Sequence, residues 1–269
     1  MIALLDQSAW FIGTMGFSYK DWDDVFYPSG SSPDDYLAYY SRVFNSVEID
    51  STFYGTPRKR TVERWKQSTP DGFRFCLKMP RLITHDSGLT NVHGLVQEFI
   101  DSARLLDKKL GAVLIQFPPS FTVEQLDRLE AFCTRLPIDI CFAVEFRDQS
   151  WYTASSQIAS MLGENNICWA ATEYPGLPAK IQRTSSFIYI RWIGQHGAFR
   201  QHTYERIDRS REIDGWIEEI QHNHDAAEAI YGFFNNDFAG FAAGTAIRFC
   251  TKAGLPVLVP KRPIQGKLL

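Results

Sequence analysis

Eight short runs rich in β-branched and aromatic residues recur along the chain: Trp10–Phe17, Val47–Phe53, Phe73–Met79, Ala112–Phe117, Phe142–Phe146, Ile167–Thr172, Phe187–Ile193 and Ala229–Asn235. Most are separated by a stretch of helical period. Strand and helix in alternation predict an α/β fold with parallel strands, and eight such units predict a TIM-type (β/α)8 barrel. One unit breaks the rhythm. Between Thr172 and Phe187 the chain reads Tyr174-Pro175-Gly176-Leu177-Pro178, too short and too rich in proline for a full crossover helix, so the sixth crossover helix is expected to be short or missing.

Helix boundaries are readable elsewhere. Ser32-Pro33 is a start signal for the first helix, because proline at the opening position gives up an N–H that has no partner there anyway. Asn91 to Leu110 reads as the third helix, with Leu95, Phe99, Leu105 and Leu106 on one face and Gly111 as its stop. Thr122 and Gln125 have the spacing of a capping box ahead of Leu126, Leu129 and Phe132. Phe238 to Ala253, closed by Gly254, makes the last helix. No linker-like segment interrupts the 269 residues, which predicts one domain over 1–269, with a core of about 10–255 and an extended tail over 256–269.

A net charge of −3 argues against coating nucleic acid or anionic membrane by bulk electrostatics, although a local basic site stays open. The five cysteines are odd in number and show no C-x-x-C spacing; buried, reduced thiols in a cytoplasmic protein are the expectation. Met1 to Asp6 lacks the basic and apolar regions of a secretory signal, and no apolar run approaches the roughly 20 residues of a membrane span, so no membrane partner is expected.

Barrels keep their sites where the strands finish, and alternate strand residues point inward. Collecting inward residues near those ends gives Glu48, Asp50, Lys78, Gln116, Glu145, Arg147, Glu173, Arg191, Asn235, Asn236 and Asp237. Glu145 and Arg147 share one face of their run and Val144 and Phe146 the other. Buried charges are costly unless paired, so this mixed set is expected to compensate internally, and a purely structural ion-pair network is one reading of it. The other is a pocket: Lys78, Arg147 and Arg191 arrive from different strands, and arginine offers a bidentate fork and lysine a point charge to an anion. Carboxylates beside them suit general acid/base work when burial separates their pKa values. A lysine among arginines also has a second reading, as an amine that loses its proton and forms a Schiff base.

His85, beside Asp86 in the long connection Pro80–Asn91, is the histidine placed near the mouth. The six histidines show no metal-ligand spacing, and His222 and His224 are read as a solvated helix end. No metal ligands are assigned and no cofactor is called, although a divalent site from Glu48, Glu145 and Asp237 is conceivable. Tyr19, Trp22, Tyr27, Tyr54, Trp151 and Tyr152 follow strands, where they either stack on a ligand ring or cap the barrel end.

The motifs together resemble a known family. Gly13-Thr-Met-Gly-Phe-Ser-Tyr-Lys-Asp-Trp22, Val47-Glu-Ile-Asp-Ser-Thr-Phe-Tyr54, Phe75-Cys-Leu-Lys78 with Thr84-His85, Gln116-Phe-Pro-Pro-Ser-Phe121, Glu145-Phe-Arg147 with Ser150-Trp151, and Phe234-Asn-Asn-Asp237 are similar to the YecE-like family, a domain of unknown function. The resemblance runs from about Ile12 to Cys250. It implies a barrel of parallel strands and helices and supplies no reaction. Two departures fall near the expected mouth: Arg191-Trp-Ile-Gly194 stands where members often carry Arg-x-His-Gly, and Met15 stands where a small residue is common.

The functional expectation is an enzyme acting on a phosphorylated or otherwise anionic small molecule, or a nucleic-acid fragment, by acid/base or hydrolytic chemistry. Glu48, His85 and Glu145 are its proton-transfer candidates. Tyr19, Tyr54, Lys78, Gln116, Arg147, Trp151, Arg191, Asn235 and Asp237 are its ligand-binding candidates. The alternatives are a non-catalytic binding protein for an anion and, by fold analogy alone, a divalent-metal phosphoesterase like barrel DNA-repair endonucleases.

Overall fold

The computed structural model describes residues 10–257. Its strands are β1 (Trp10–Thr14), β2 (Ser46–Ile49), β3 (Arg74–Lys78), β4 (Leu110–Gln116), β5 (Phe142–Glu145), β6 (Cys168–Trp169), β7 (Ala171–Glu173), β8 (Phe187–Trp192) and β9 (Ala229–Phe234). They form two parallel sheets, in the order β1-β9-β8-β7 and β2-β3-β4-β5-β6. The helices are α1 (Tyr36–Val43), α2 (Lys59–Gln67), α3 (His93–Arg104), α4 (Leu126–Cys133), α5 (Ser150–Thr153), α6 (Ser155–Glu164), α7 (Ser210–Asn223), α8 (Asn236–Ala239) and α9 (Ala242–Lys252). Parallel neighbours need such crossovers, and helices laid on the strands are why runs like Val113–Ile115 are apolar on both faces and fully buried.

The sheets approach one another at two places. Gly16 N–H donates to the Glu48 carbonyl at 2.7 Å, with Met15 bridged in parallel to Glu48. At the other side, Ala170 separates β6 from β7 while its N–H still donates to Val144 O at 2.9 Å. Two apolar clusters follow from strand alternation. The larger lies between strands and helices, and the smaller is made of inward residues from both sheets: Met15, Cys76, Ala112, Leu114, Ala143, Cys168, Tyr189 and Phe233 among them.

Several boundaries differ from the sequence reading, each for a local reason. The sixth run is split at Ala170, as described. The last helix is broken at Gly240, whose φ of 106° ends α8. The first helix begins at Tyr36, because Ser32 N–H and hydroxyl both bond the Asp35 carboxylate and fold Ser32–Asp35 into a turn. The third helix is trimmed at both ends to α3. Between Glu173 and Phe187 the described residues contain no helix; Thr184 instead ties the segment back to Ile167 O and Trp169 N–H, both at 2.7 Å. Thr122 and Gln125 form the capping box. Cys141, expected to be buried, is exposed just ahead of β5. Met1 to Asp6 and most of the expected tail over 256–269 lie outside the described residues. Among the described residues no helix is long and apolar enough to cross a membrane.

Candidate functional site

Arg191 is the centre of the charged cluster. It sits in β8 two residues after Tyr189, so both side chains project to the same inner face. Its Nη2 and Nε donate to Glu48 Oε1 and Oε2 at 2.7 and 2.9 Å, a bidentate fork, and its Nη1 donates to Glu145 Oε2 at 2.6 Å. The Tyr189 hydroxyl donates to Glu48 Oε2 at 2.7 Å. Glu145 accepts on its other oxygen from Arg147 Nε. Arg191 is 3% exposed and both glutamates are fully buried, so this network is dry enough that each unpaired member would cost several kcal/mol.

The two glutamates differ in their surroundings. Burial pushes the Glu48 carboxyl up to about 7, with Arg191 and Tyr189 opposing and Asp50 reinforcing the rise. Burial would raise Glu145 as well, but Arg147 and Arg191, with Lys78, outweigh it and hold the carboxyl at about 2. The assignment follows from the contacts: Glu145 serves two arginines, whereas Glu48 serves one and faces a second carboxylate. Glu145 is the permanent anion, and Glu48 is the group that takes up a proton near neutrality.

Lys78 and Arg147 form the outer part of the cluster. Lys78 ends β3, and its ammonium lies 4.0 Å from the centre of the Phe53 ring. Burial and the neighbouring Arg191 lower its pKa against the pull of Asp50, Glu145 and Glu48. Arg147, 13% exposed, lies over Tyr174 at 4.2 Å, and among the described residues its two terminal nitrogens have no hydrogen-bond partner. Asp50 opens the short turn after β2, 3.6 Å from Arg191 Nη2, with its buried Oδ1 lacking a hydrogen bond. Thr52 anchors that turn to β3 by donating to Lys78 O at 2.7 Å.

His85 lies on a single π-type turn, Leu82–Asp86, edge-on to Phe53 at 4.9 Å. Its Nδ1 bonds Thr84 Oγ1 at 2.8 Å. Burial, then Lys78 and Arg81, lower its pKa to about 4, so the imidazole is neutral at physiological pH. Its Asp86 neighbour pairs with Arg81 at 3.0 Å and does not orient the ring.

The remaining sequence candidates separate. Tyr19 stays close to the cluster, half-buried, its hydroxyl donating to Met15 O at 2.5 Å; burial first, then Asp50 and Glu48, raise its pKa. Asn235 caps α8 through Asp237 N–H at 2.9 Å, with its amide nitrogen 3.5 Å from Met15 Sδ. Asp237 accepts from Gly197 N–H at 2.8 Å, and Gln116 donates to Phe117 O at 2.5 Å; both act first as braces for their own loops.

Three expectations are corrected. Trp151 is fully buried, stacks on Phe146 at 4.2 Å and donates from Nε1 to Phe121 O, so it is core and offers no ring to a ligand. Tyr54 is 85% exposed and lines an outer cavity with Leu82 and Leu95, because the turn after β2 swings its side chain away from the cluster. Glu173 faces the helices and accepts from Trp216 Nε1 at 2.7 Å. Among the described residues no group of three His, Cys, Asp or Glu side chains is arranged to hold a metal ion: Glu48 and Glu145 are taken by Arg191, and Asp237 by Gly197. The sequence reading left out Tyr189, which shares the parity of Arg191 and was detectable on that ground. Phe53 and Tyr174, the ring faces beneath the two outer cations, carried no such signal because both lie outside regular strands.

Fold and site together define a parallel α/β protein with a buried ion-pair network near the carboxyl ends of its strands. Residues 11–266 match the family described as "Protein of unknown function DUF72", and the chain belongs to that family. It is 26% identical over 259 residues to the UPF0759 protein YunF of Bacillus subtilis (strain 168), covering 87% of this chain and 90% of that one. It is 34% identical over 121 residues to the UPF0759 protein YecE of Escherichia coli (strain K12); that match spans 45% of this chain and 44% of YecE, less than half its length. Among solved structures, a DUF72 family protein from Thermotoga maritima is 28% identical with a TM-score of 0.76, covering 91% of this chain and 99% of that one. One from Enterococcus faecalis, at 23% identity, has a similar fold, with a TM-score of 0.73 over 94% of this chain and 99% of that one.

Proposed function

We propose that the cluster at the ends of the strands binds an anionic small molecule and acts on it by acid/base or hydrolytic chemistry. One observation carries the reading: Arg147 holds Glu145 through Nε alone, which among the described residues leaves two guanidinium nitrogens without a hydrogen-bond partner, with the Lys78 ammonium beyond 4 Å from the same carboxylate but within its electrostatic reach. Arg191 is no longer an anion-holding group in this reading, because Glu48 and Glu145 occupy its donors. Its part is to fix the carboxylates. Glu48, titrating at about 7, and the neutral imidazole of His85 are the proton-transfer groups. The same reading joins the two sheets into one (β/α)8 barrel, through Gly16 to Glu48 on one side and through the segment 168–173 on the other.

A thermal-shift titration with inorganic phosphate and with pyrophosphate tests it. At about tenfold over Kd the midpoint should rise by roughly 3 °C, and Arg147→Ala should remove the rise while leaving the melting of the free protein cooperative. An equal rise in Arg147→Ala, or none in the wild type across a panel of phosphorylated and carboxylated metabolites, rejects the site. A non-catalytic binding role has one observation in its favour, the engagement of both glutamates by Arg191. It predicts that a ligand identified by the shift is recovered unchanged after incubation, with Glu48→Gln binding it as well as the wild type does.

A further inference from the structure

Lys78 differs from the other two cations of the cluster in its partners. Arg191 has Glu48 and Glu145, and Arg147 has Glu145, whereas among the described residues no carboxylate lies within 4 Å of the Lys78 ammonium. Here a half-buried lysine ends its strand against an aromatic ring, with the guanidinium of Arg191 near it and the imidazole of His85 against the same ring. The Phe53 face favours the ammonium, whereas burial first and then Arg191 lower its pKa against Asp50, Glu145 and Glu48. Burial and Arg191 bring its proton off more easily than that of an ordinary lysine, against the pull of Asp50, Glu145 and Glu48, and the unprotonated amine is a nitrogen nucleophile.

We propose that Lys78 forms an imine with a carbonyl compound that bears an anionic group, the anion resting on the free guanidinium nitrogens of Arg147. This deepens the reading given above and rests on it for the anion. In the step, the unprotonated Nζ attacks the carbonyl carbon; a C–N bond forms and the π pair moves to oxygen. The nitrogen gives up one proton and the oxygen gains one, which yields the carbinolamine. The hydroxyl then takes a second proton and leaves as water, and the nitrogen loses its last proton to give the neutral imine. Carbonyl and amine become imine and water, with no change in oxidation state. His85, neutral and with Nε2 unpartnered among the described residues, is the group beside Lys78 that can accept and return the protons.

Pyridoxal 5′-phosphate, an aldehyde that carries a phosphate, is the probe. The full chain is incubated with it, reduced with borohydride, digested and read by peptide mass spectrometry. The expected result is an adduct on Lys78 about tenfold above that on Lys59, whose side chain is 73% exposed. Lys78→Arg keeps the charge, should melt like the wild type, and should lose this adduct. Arg147→Ala should reduce labelling by the phosphorylated aldehyde and leave labelling by pyridoxal, which lacks the phosphate, unchanged. Labelling of Lys78 no stronger than that of Lys59 overturns the proposal. Two controls separate it from the anion site. If phosphate raises the melting midpoint of the wild type while Lys78 stays unlabelled, the imine fails and the anion site stands. If Lys78 is labelled equally by both aldehydes, the anionic half fails and takes the assignment of Arg147 with it.

Discussion

Glu48 and Glu145 share one arginine and are set apart by what else each touches. The consequence is a pH dependence with a definite sign. Glu48 titrates at about 7 in the folded chain against an ordinary 4.5, so the folded state binds this proton more tightly than the unfolded state. Its contribution to stability is therefore full below about 4.5 and is lost as pH rises through about 7. Urea melts of wild type and Glu48→Gln at pH 5 and pH 8 should show the wild type losing about 2 kcal/mol relative to the variant over that interval. A difference between the two proteins that is the same at both pH values would contradict the assignment of the labile proton to Glu48. Glu145 behaves in the opposite way. Its pKa is lowered to about 2, so its contribution is present above 4.5 and is lost as pH falls toward 2.

At the scale of elements, the approach of β1 to β2 sets Met15 and the Glu48 backbone side by side, and a glycine makes that approach possible. A Cβ on Gly13 would stand 2.0 Å from Ser46 O and 2.7 Å from the Tyr40 hydroxyl, which itself accepts from Thr14 N–H at 2.8 Å. Neither the carbonyl nor the buried tyrosine has room to yield. Gly13→Ala should cost about 3 kcal/mol or prevent folding, measured by denaturant unfolding. Gly215 in α7 is the control: nothing lies within 4 Å of its added Cβ, so Gly215→Ala should stabilise by about 0.5 to 1 kcal/mol. Similar effects at both sites would show that the close contact between β1 and β2 is not a constraint on this chain.

For the molecule as a whole, Arg191 is the point at which three strands meet: β8 carries it, and β2 and β5 supply Glu48 and Glu145. Removing it leaves Glu48 with only the Tyr189 hydroxyl and Glu145 with only Arg147. Arg191→Met should cost about 3 to 5 kcal/mol, while the triple variant Arg191→Met, Glu48→Gln, Glu145→Gln should recover most of that loss, because neutral amides no longer demand a counter-charge. Denaturant midpoints of the two variants decide it; a single variant within about 1 kcal/mol of wild type would mean that the network contributes little to holding the strands together.

The strand runs, the missing helix after β7, the capping box at Thr122 and the parity of Glu145 with Arg147 are legible in the sequence, because hydrophobic period, proline and glycine act over a few residues. The splits at Ala170 and Gly240 are not legible in that way, since a helical or strand-like pattern continues through both. Nor are the fates of the aromatics. Trp151 and Tyr54 both follow strands and look alike in sequence, yet one is buried against Phe146 and the other is exposed beside Leu82. By itself the chain determined that Glu48, Glu145 and Arg191 face inward, because alternation along a strand fixes the side, whereas Glu173, at the end of a split run, turned to the helices. Only the tertiary structure decided how those charges are shared. Arg191 is enclosed by two glutamates, while among the described residues Arg147 keeps two nitrogens without a hydrogen bond and Lys78 has no carboxylate within 4 Å, because distances between strands far apart in the chain depend on how the sheets come together.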